Sequence, residues 1–250
     1  MNNGKKIAII IATIFVIAVV VSAAILFSVK KISVEYDVYG DRADTVEISK
    51  SMDTFKGKNY LFFNTDKVKE KLKDYPYYEI LSVEKQFPNV INVKLKKRIE
   101  TFSVKFGAAT YVLNEDGILL NSDGSTSGEN KVIDVTTEGI EVKTAVLGAK
   151  LETSDDALFL SALSMAKIAN LSDFIKSVEI ISETEKKDVI FYTFTGVKIT
   201  IIHADERGAE KIEKTLSAFE EASDYVKSYS EIIVFVNNQG ETVVQWINEK

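Results

Sequence analysis

Twenty-three consecutive residues without a charge, Ile7 to Val29 (IAIIIATIFVIAVVVSAAILFSV), constrain this chain more than any other feature. A helix rising about 1.5 Å per residue over that length reaches about 34 Å, enough to cross a hydrocarbon core of about 30 Å. The run predicts a membrane-spanning helix over 7–29 in contact with the lipid bilayer, with Ile7 and Val29 at its ends and Phe15 near its middle. A cleaved signal peptide is the alternative, because Ser22-Ala23-Ala24 offers small residues at a suitable spacing. Against it, Ile25, Leu26 and Phe27 carry the apolar run past a signal core of roughly 7 to 15 residues. Lys5 and Lys6 on one flank face Lys30, Lys31 and Arg42 on the other, so the basic-residue rule gives no orientation. The stub 1–6 is too short to fold. All foldable mass is expected on one side of the span, as about 220 residues, a size that suggests two units.

Composition removes whole classes of function. The chain has 250 residues and no cysteine, which excludes disulfides, thiolate metal sites, iron–sulfur clusters and cysteine nucleophiles. His203 is the single histidine, so multi-histidine metal sites are excluded too. Beyond the apolar run, 29 basic residues stand against 37 acidic ones. That sign is opposite to a nucleic-acid binder's, and no nucleic-acid partner is expected.

Residues 30–101 read as one α+β unit. Ile32, Val34, Tyr36 and Val38 alternate with polar residues as in a strand with one covered face, and Gly40 ends it. Asp44-Thr45-Val46-Glu47 resembles a capping box, followed by a short helix with Val46, Ile48 and Met52 inward and Gly57 as its stop. After the loop GKNYLFFNTD, Asn64 or Thr65 caps a second helix in which Val68, Leu72 and Tyr75 recur at helical spacing before Pro76. Phe62 and Phe63 are expected to plug the helices against the sheet, with Phe62 and Leu72 both buried. Leu81, Val83 and Phe87 mark a strand, Pro88-Asn89 a turn, and Ile91, Val93 and Leu95 a second strand whose other face carries Lys94 and Lys96.

Strand, helix, helix, strand, strand is the order of a POTRA domain. An apolar span followed at once by GKNYLFFNTDKVKEKLKDYPYYEILSVEKQFPNVINVKLKKRIETFSVK resembles the FtsQ and DivIB family of bacterial cell-division proteins. The family's positions are met by Gly57, Asn59, Leu61, Phe62, Asp66, Pro76, Tyr77, Val83, Phe87, Pro88, Ile91, Val93 and Arg98. At Glu100-Thr101 the proline often found there is missing. These residues specify a scaffold and name no reactive group. The resemblance implies a short cytoplasmic stub (1–6), a span (7–29), a POTRA domain (30–101) and a β domain (102–250).

The β domain reads as mixed α+β. Phe102, Val104 and Phe106 alternate in a strand, and Tyr111-Val112-Leu113 turns through Asn114-Glu115-Asp116-Gly117 into Ile118-Leu119-Leu120. A strand near 132–135 precedes a helix from Ser154 to Ala169, capped by Ser154-Asp155-Asp156. Strands follow at 178–181, 189–194 and 197–203, then a helix over 208–228, a strand at 231–236, the turn Asn237-Asn238-Gln239-Gly240 and an edge strand at 242–247.

Candidate chemistry is sparse. Ser164-Met165-Ala166-Lys167 fits the S-x-x-K pattern of penicillin-binding enzymes, but Ser28 to Lys31 and Ser82 to Lys85 fit it as well, and no S-D-N or K-T-G sequence accompanies them. Asp155-Asp156 and Glu220-Glu221 suit a helix start and a solvated helix face. Lys94, Lys96, Lys97 and Arg98 are a solvated strand face, with anionic lipid or wall polymer as a minor alternative. No glycine pattern cradles a phosphate. The reading is of a protein without catalytic residues, cofactor, metal or small-molecule substrate.

The resemblance implies a single-pass scaffold with a cytoplasmic N-terminus and an extracytoplasmic C-terminus at the division septum, partnered by FtsB/DivIC-like and FtsL-like proteins. A POTRA-bearing transport component is the alternative, weakened because no alternating barrel strands of about ten residues recur. The resemblance also implies a partner site at the last strand: Thr242, Val243, Val244, Gln245, Trp246 and Ile247, with one face in the core and the face bearing Trp246 offered to a partner; Trp246 as core filling is the alternative.

Overall fold

The structure is a computed structural model that describes residues 3–37, 42–128, 130–170, 175–222 and 231–247. It divides into two compact units, 1–98 and 99–250.

In the first unit α1 (Asn3–Leu26) is a single helix, apolar over Gly4–Leu26 and long enough to cross a bilayer. It stops three residues short of Val29. Val29 is 1% exposed and lies in the unit's core, its N–H donating to Lys58 O and its carbonyl accepting from Gly57 N–H, both at 2.8 Å. The residue expected to end the span is therefore the first core residue of the domain. β1 (Lys31–Tyr36) pairs in parallel with β3 (Val90–Lys97), which pairs antiparallel with β2 (Tyr78–Gln86), giving the order β1-β3-β2. With α2 (Arg42–Met52) and α3 (Asp66–Leu72) the element order is β-α-α-β-β. Ile48, Met52, Val68, Leu72, Ile91, Val93 and Leu95 close the core, as their spacing predicts.

Four expectations fail here for identifiable reasons. Val46 is exposed, because two residues on a helix lie about 200° from Ile48. Phe62 is 87% exposed whereas Phe63 is buried, its ring 5.5 Å from that of Phe55. Asn59 Oδ1 accepts the N–H groups of both Leu61 (3.0 Å) and Phe62 (3.2 Å), and this side-chain turn lifts Leu61 and Phe62 off the domain before Phe63 returns to it. A bulge between Ile80 and Ser82 shifts the phase of β2, so Leu81 is exposed and Tyr78, Ile80 and Val83 face the core; Phe87 lies beyond the strand and is exposed. Tyr75, expected within α3, follows its end; of the two caps expected for that helix Asn64 serves, its Oδ1 accepting Asp66 N–H at 2.9 Å, while Thr65 makes no side-chain cap. Val38, Gly40 and the Asp44 side chain lie outside the described residues.

The second unit is built on nine strands: β4 (Phe102–Phe106), β5 (Ala109–Leu113), β6 (Leu119–Asn121), β7 (Ile133–Glu138), β10 (Ile175–Ser182), β11 (Lys187–Thr193), β12 (Lys198–Ile201), β13 (Glu231–Val236) and β14 (Thr242–Ile247). Their order is β14-β13-β12-β11-β10-β7-β4-β5-β6. A small hairpin of β8 (Val142–Thr144) and β9 (Glu152–Thr153) was not legible as strands. Register partners run straight across the sheet as Val104, Val135, Val178, Phe191, Ile199, Ile232 and Trp246, all on one face. That row packs with α4 (Asp156–Asn170) and α5 (Gly208–Glu221) in one hydrophobic core. Asp155 caps α4 by accepting Leu158 N–H at 3.2 Å. Residues 223–228 of the expected second helix lie outside the described residues.

Candidate partner-binding edge

The two edges of the nine-stranded sheet differ. β6 is three residues long, and the following segment occupies its free side: Leu119 N–H donates to Ala149 O, Leu119 O accepts from Gly148 N–H (both 2.8 Å), and Gly117 O accepts from Leu151 N–H at 3.0 Å. β14 runs six residues, and among the described strands β13 is its only neighbour. The turn before it sets its phase. Asn237 N–H donates to Glu241 O at 2.9 Å, and Asn237 Oδ1 accepts the N–H groups of Gln239 (3.0 Å) and Glu241 (2.9 Å), with Gly240 at φ 79°. From that bonded pair the antiparallel ladder alternates, so Val243, Gln245 and Ile247 turn their backbone groups to β13. Thr242, Val244 and Trp246 turn theirs to the open side.

Side chains alternate independently of this. Thr242, Val244 and Trp246 lie on the core face, where the Trp246 ring stacks on Phe219 of α5 with centroids 6.0 Å apart. The expectation that Trp246 is offered to a partner is thereby corrected: β14 continues the same inward row as Ile232, and only a helix on that face could receive the indole. On the other face Gln245 is exposed and Val243 and Ile247 are half-buried, beside Ile233 and Phe235 of β13.

A polar anchor that sequence reading missed fixes β14 to α5. Arg207 donates through Nε and Nη2 to the two Glu210 carboxylate oxygens, each at 2.8 Å, and through Nη1 to Gly240 O at 2.7 Å. Thr242 Oγ1 donates to Glu210 Oε1 at 2.8 Å. Hydrogen bonds from Arg207, then from Thr242, hold the Glu210 carboxyl below the usual carboxylate range. The one sequence signal is an Arg and a Glu three apart at a helix start, too common to single out. Nearby, Lys211 is 1% exposed and gives its ammonium to Ile202 O (2.9 Å) and His203 O (2.7 Å); burial pushes its pKa down.

The remaining candidates are accounted for structurally. Lys167 pairs with Glu115 at 2.8 Å, and that hydrogen bond raises its pKa, the wrong direction for activating Ser164. His203 adopts φ 47° with its N–H donating to Asp188 Oδ1 at 3.1 Å. Among the described residues no group of three His, Asp or Glu side chains is arranged to hold a metal. Asp155 is partly desolvated, which raises its pKa, but hydrogen bonds from Lys187, Leu158 N–H and Ser182 outweigh that and keep it low. Arg98 Nη1 donates to Pro76 O (2.8 Å) and Tyr78 O (3.1 Å), so the end of the basic strand is part of the scaffold.

Residues 27–98 match the POTRA domain, FtsQ-type. Over 174 residues the chain is 23% identical to the cell division protein DivIB of Clostridium acetobutylicum, covering 63% of this chain and 68% of that protein.

Proposed function

We propose that this chain acts in cell division, as a non-enzymatic membrane scaffold of the FtsQ/DivIB kind that recruits FtsB/DivIC-like and FtsL-like proteins; the FtsQ-type POTRA match and the likeness to DivIB support the division role. The open β14 edge carries this reading. On the side of this large sheet away from β13, Thr242 and Val244 turn their backbone groups outward, and such an edge is a template for a guest strand that folded proteins cover when it has no use. Backbone donors and acceptors at Thr242 and Val244 would supply the attachment, and the half-buried Val243 and Ile247 would flank the guest's side chains. The helix α1 supports a membrane anchor, and the likeness to DivIB is the ground for placing the stub in the cytoplasm and residues 30–250 outside it at the septum. In this reading the units 30–101 and 102–250 act as a spacer and a partner-binding domain.

Two measurements test it. The tagged full chain, purified from membranes, should bring down a small bitopic division protein, and a chain ending at Gly240 should not. A C-terminal phosphatase fusion should be active while a fluorescent protein that folds only in the cytoplasm stays dark. Equal capture by the shortened chain refutes the edge, and the reverse fusion pair refutes the orientation.

A further inference from the structure

The loop after α2 holds a large exposed apolar group that partner capture at β14 leaves unexplained. Phe62 is 87% exposed and Leu61 52%, and both project from the Asn59 side-chain turn. Phe87, 71% exposed, lies beside Phe27 with ring centroids 5.9 Å apart. Lys85, two residues before Phe87 in the chain, reaches the loop: its Nζ is 3.3 Å from Leu61 O and 5.7 Å from the centre of the Tyr60 ring. A soluble domain gains nothing from such a group in water, so something covers it.

Its attachment says what. Phe27 is the first residue after α1, and its carbonyl accepts Tyr60 N–H at 2.6 Å; Ser28 bridges to Asn59. No linker intervenes, because Phe27 N–H still donates to Ala23 O and Ser28 Oγ to Ile25 O, both at 2.9 Å. Tyr60 is thus hydrogen-bonded to the residue that follows the apolar helix, and Leu61 and Phe62 lie one and two residues, at most about 7 Å of chain, beyond Tyr60. The headgroup layer on each side of a bilayer is about 5 to 7 Å deep. With the end of α1 at the hydrocarbon boundary, this tip is within reach of that layer. Its chemistry fits: aromatic and aliphatic side chains for the acyl boundary, with exposed Lys30, Lys58 and Lys85 for the lipid phosphates.

We propose that Leu61 and Phe62, with Phe87 beside them, form a second membrane contact that inserts into the lipid interface and seats the base of the first unit on the bilayer. This rests on the reading of α1 as a membrane span, and the experiment separates the two. In the full chain with Trp246→Phe, single tryptophans are placed by Phe62→Trp and, as a reference within the span, by Phe15→Trp. Each protein is reconstituted into vesicles of phosphatidylcholine and phosphatidylglycerol carrying bromine either high on the acyl chains or near their ends. Phe62→Trp should emit to the blue of free tryptophan amide and be quenched more by shallow bromine, and Phe15→Trp more by deep bromine. Quenching at Phe15→Trp with none at Phe62→Trp overturns the second contact and leaves the span standing. A blue emission at Phe62→Trp without bromine quenching overturns it equally, since protein then covers the loop. Absence of quenching at Phe15→Trp overturns the span and the proposal together.

Discussion

At one end of the nine-stranded sheet β6 is three residues long and Gly148 and Ala149 take up the backbone groups of Leu119, whereas at the other β14 runs six residues and, among the described strands, has β13 as its one neighbour. The same sheet therefore shows both treatments of an edge. An unused edge is shortened and covered, and that makes the uncovered one informative. β14 is also held more firmly than an idle strand requires, by Arg207, Glu210 and Thr242 at its start and by Trp246 on Phe219 near its end. A rigid edge binds a guest strand without first spending free energy on its own ordering.

The largest expected effect separates the two sides of β14. Val244 turns its N–H outward, so Val244→Pro should leave the β13 ladder intact while removing a donor and placing a ring where the guest's carbonyl would approach. Capture should weaken by about 3 kcal/mol, roughly a hundredfold. Gln245→Pro, one residue on, removes an inward donor and should separate β14 from β13. Titration with the extracytoplasmic segment of the partner, beside hydrogen exchange on β13, distinguishes them. If both variants behave alike, the ladder phase deduced from the Asn237–Glu241 pair is wrong.

Trp246→Ala should act on stability. The ring is partly buried against Phe219, so the loss is about 2 kcal/mol, below the range for a fully buried tryptophan. Denaturant unfolding should show that shift, with capture by the folded fraction changed less than about threefold. A loss of capture far beyond the loss of folding would restore the indole as a partner anchor. On the closed edge, Gly148 holds φ 79° where it donates to Leu119 O. Gly148→Val should cost about 1 to 2 kcal/mol and release that carbonyl, so sedimentation should detect concentration-dependent association of a chain that now has two open edges. Sedimentation unchanged from that of the unaltered chain would mean that shortness alone silences β6.

Much of the fold was legible because it rests on periodicity and punctuation. Ile91, Val93 and Leu95, or Phe102, Val104 and Phe106, alternate cleanly, and both sets are buried. Errors arose where one local hydrogen bond or one inserted residue overrides the period. Asn59 turns Phe62 outward next to a buried Phe63, and the bulge at Ile80/Ser82 turns Leu81 outward although Val83, two residues on, faces the core. The β8–β9 hairpin is too short to show a period at all. At the candidate site the alternation of β14 was readable, but not which face would be inward, since that depends on α5 lying over Ile232 and Trp246. The open edge depends on the order of all nine strands, a property no local pattern carries.

The smallest effect concerns the anchor at the start of β14 and its response to acid. Glu210 has an ordinary value of 4.5 and is held below it, first by the Arg207 hydrogen bonds and then by that from Thr242. A carboxyl whose folded pKa is depressed contributes stability that is present above the unfolded value and is lost as pH falls through the folded one. Protection of the β14 amides against hydrogen exchange, compared at equal intrinsic rates, should therefore be constant near neutrality and decline only below pH 4.5, as protonation removes the acceptor for Arg207 and Thr242. Glu210→Gln should begin at the lower plateau and lose that step, since the amide accepts through one oxygen and carries no charge. Arg207→Lys should keep part of the step, because a lysine cannot grip both carboxylate oxygens and the Gly240 carbonyl together. A Glu210→Gln chain whose β14 protection falls with acid as in the unaltered chain would show that the stacking of Trp246 on Phe219, and not this ion pair, holds the open edge in place.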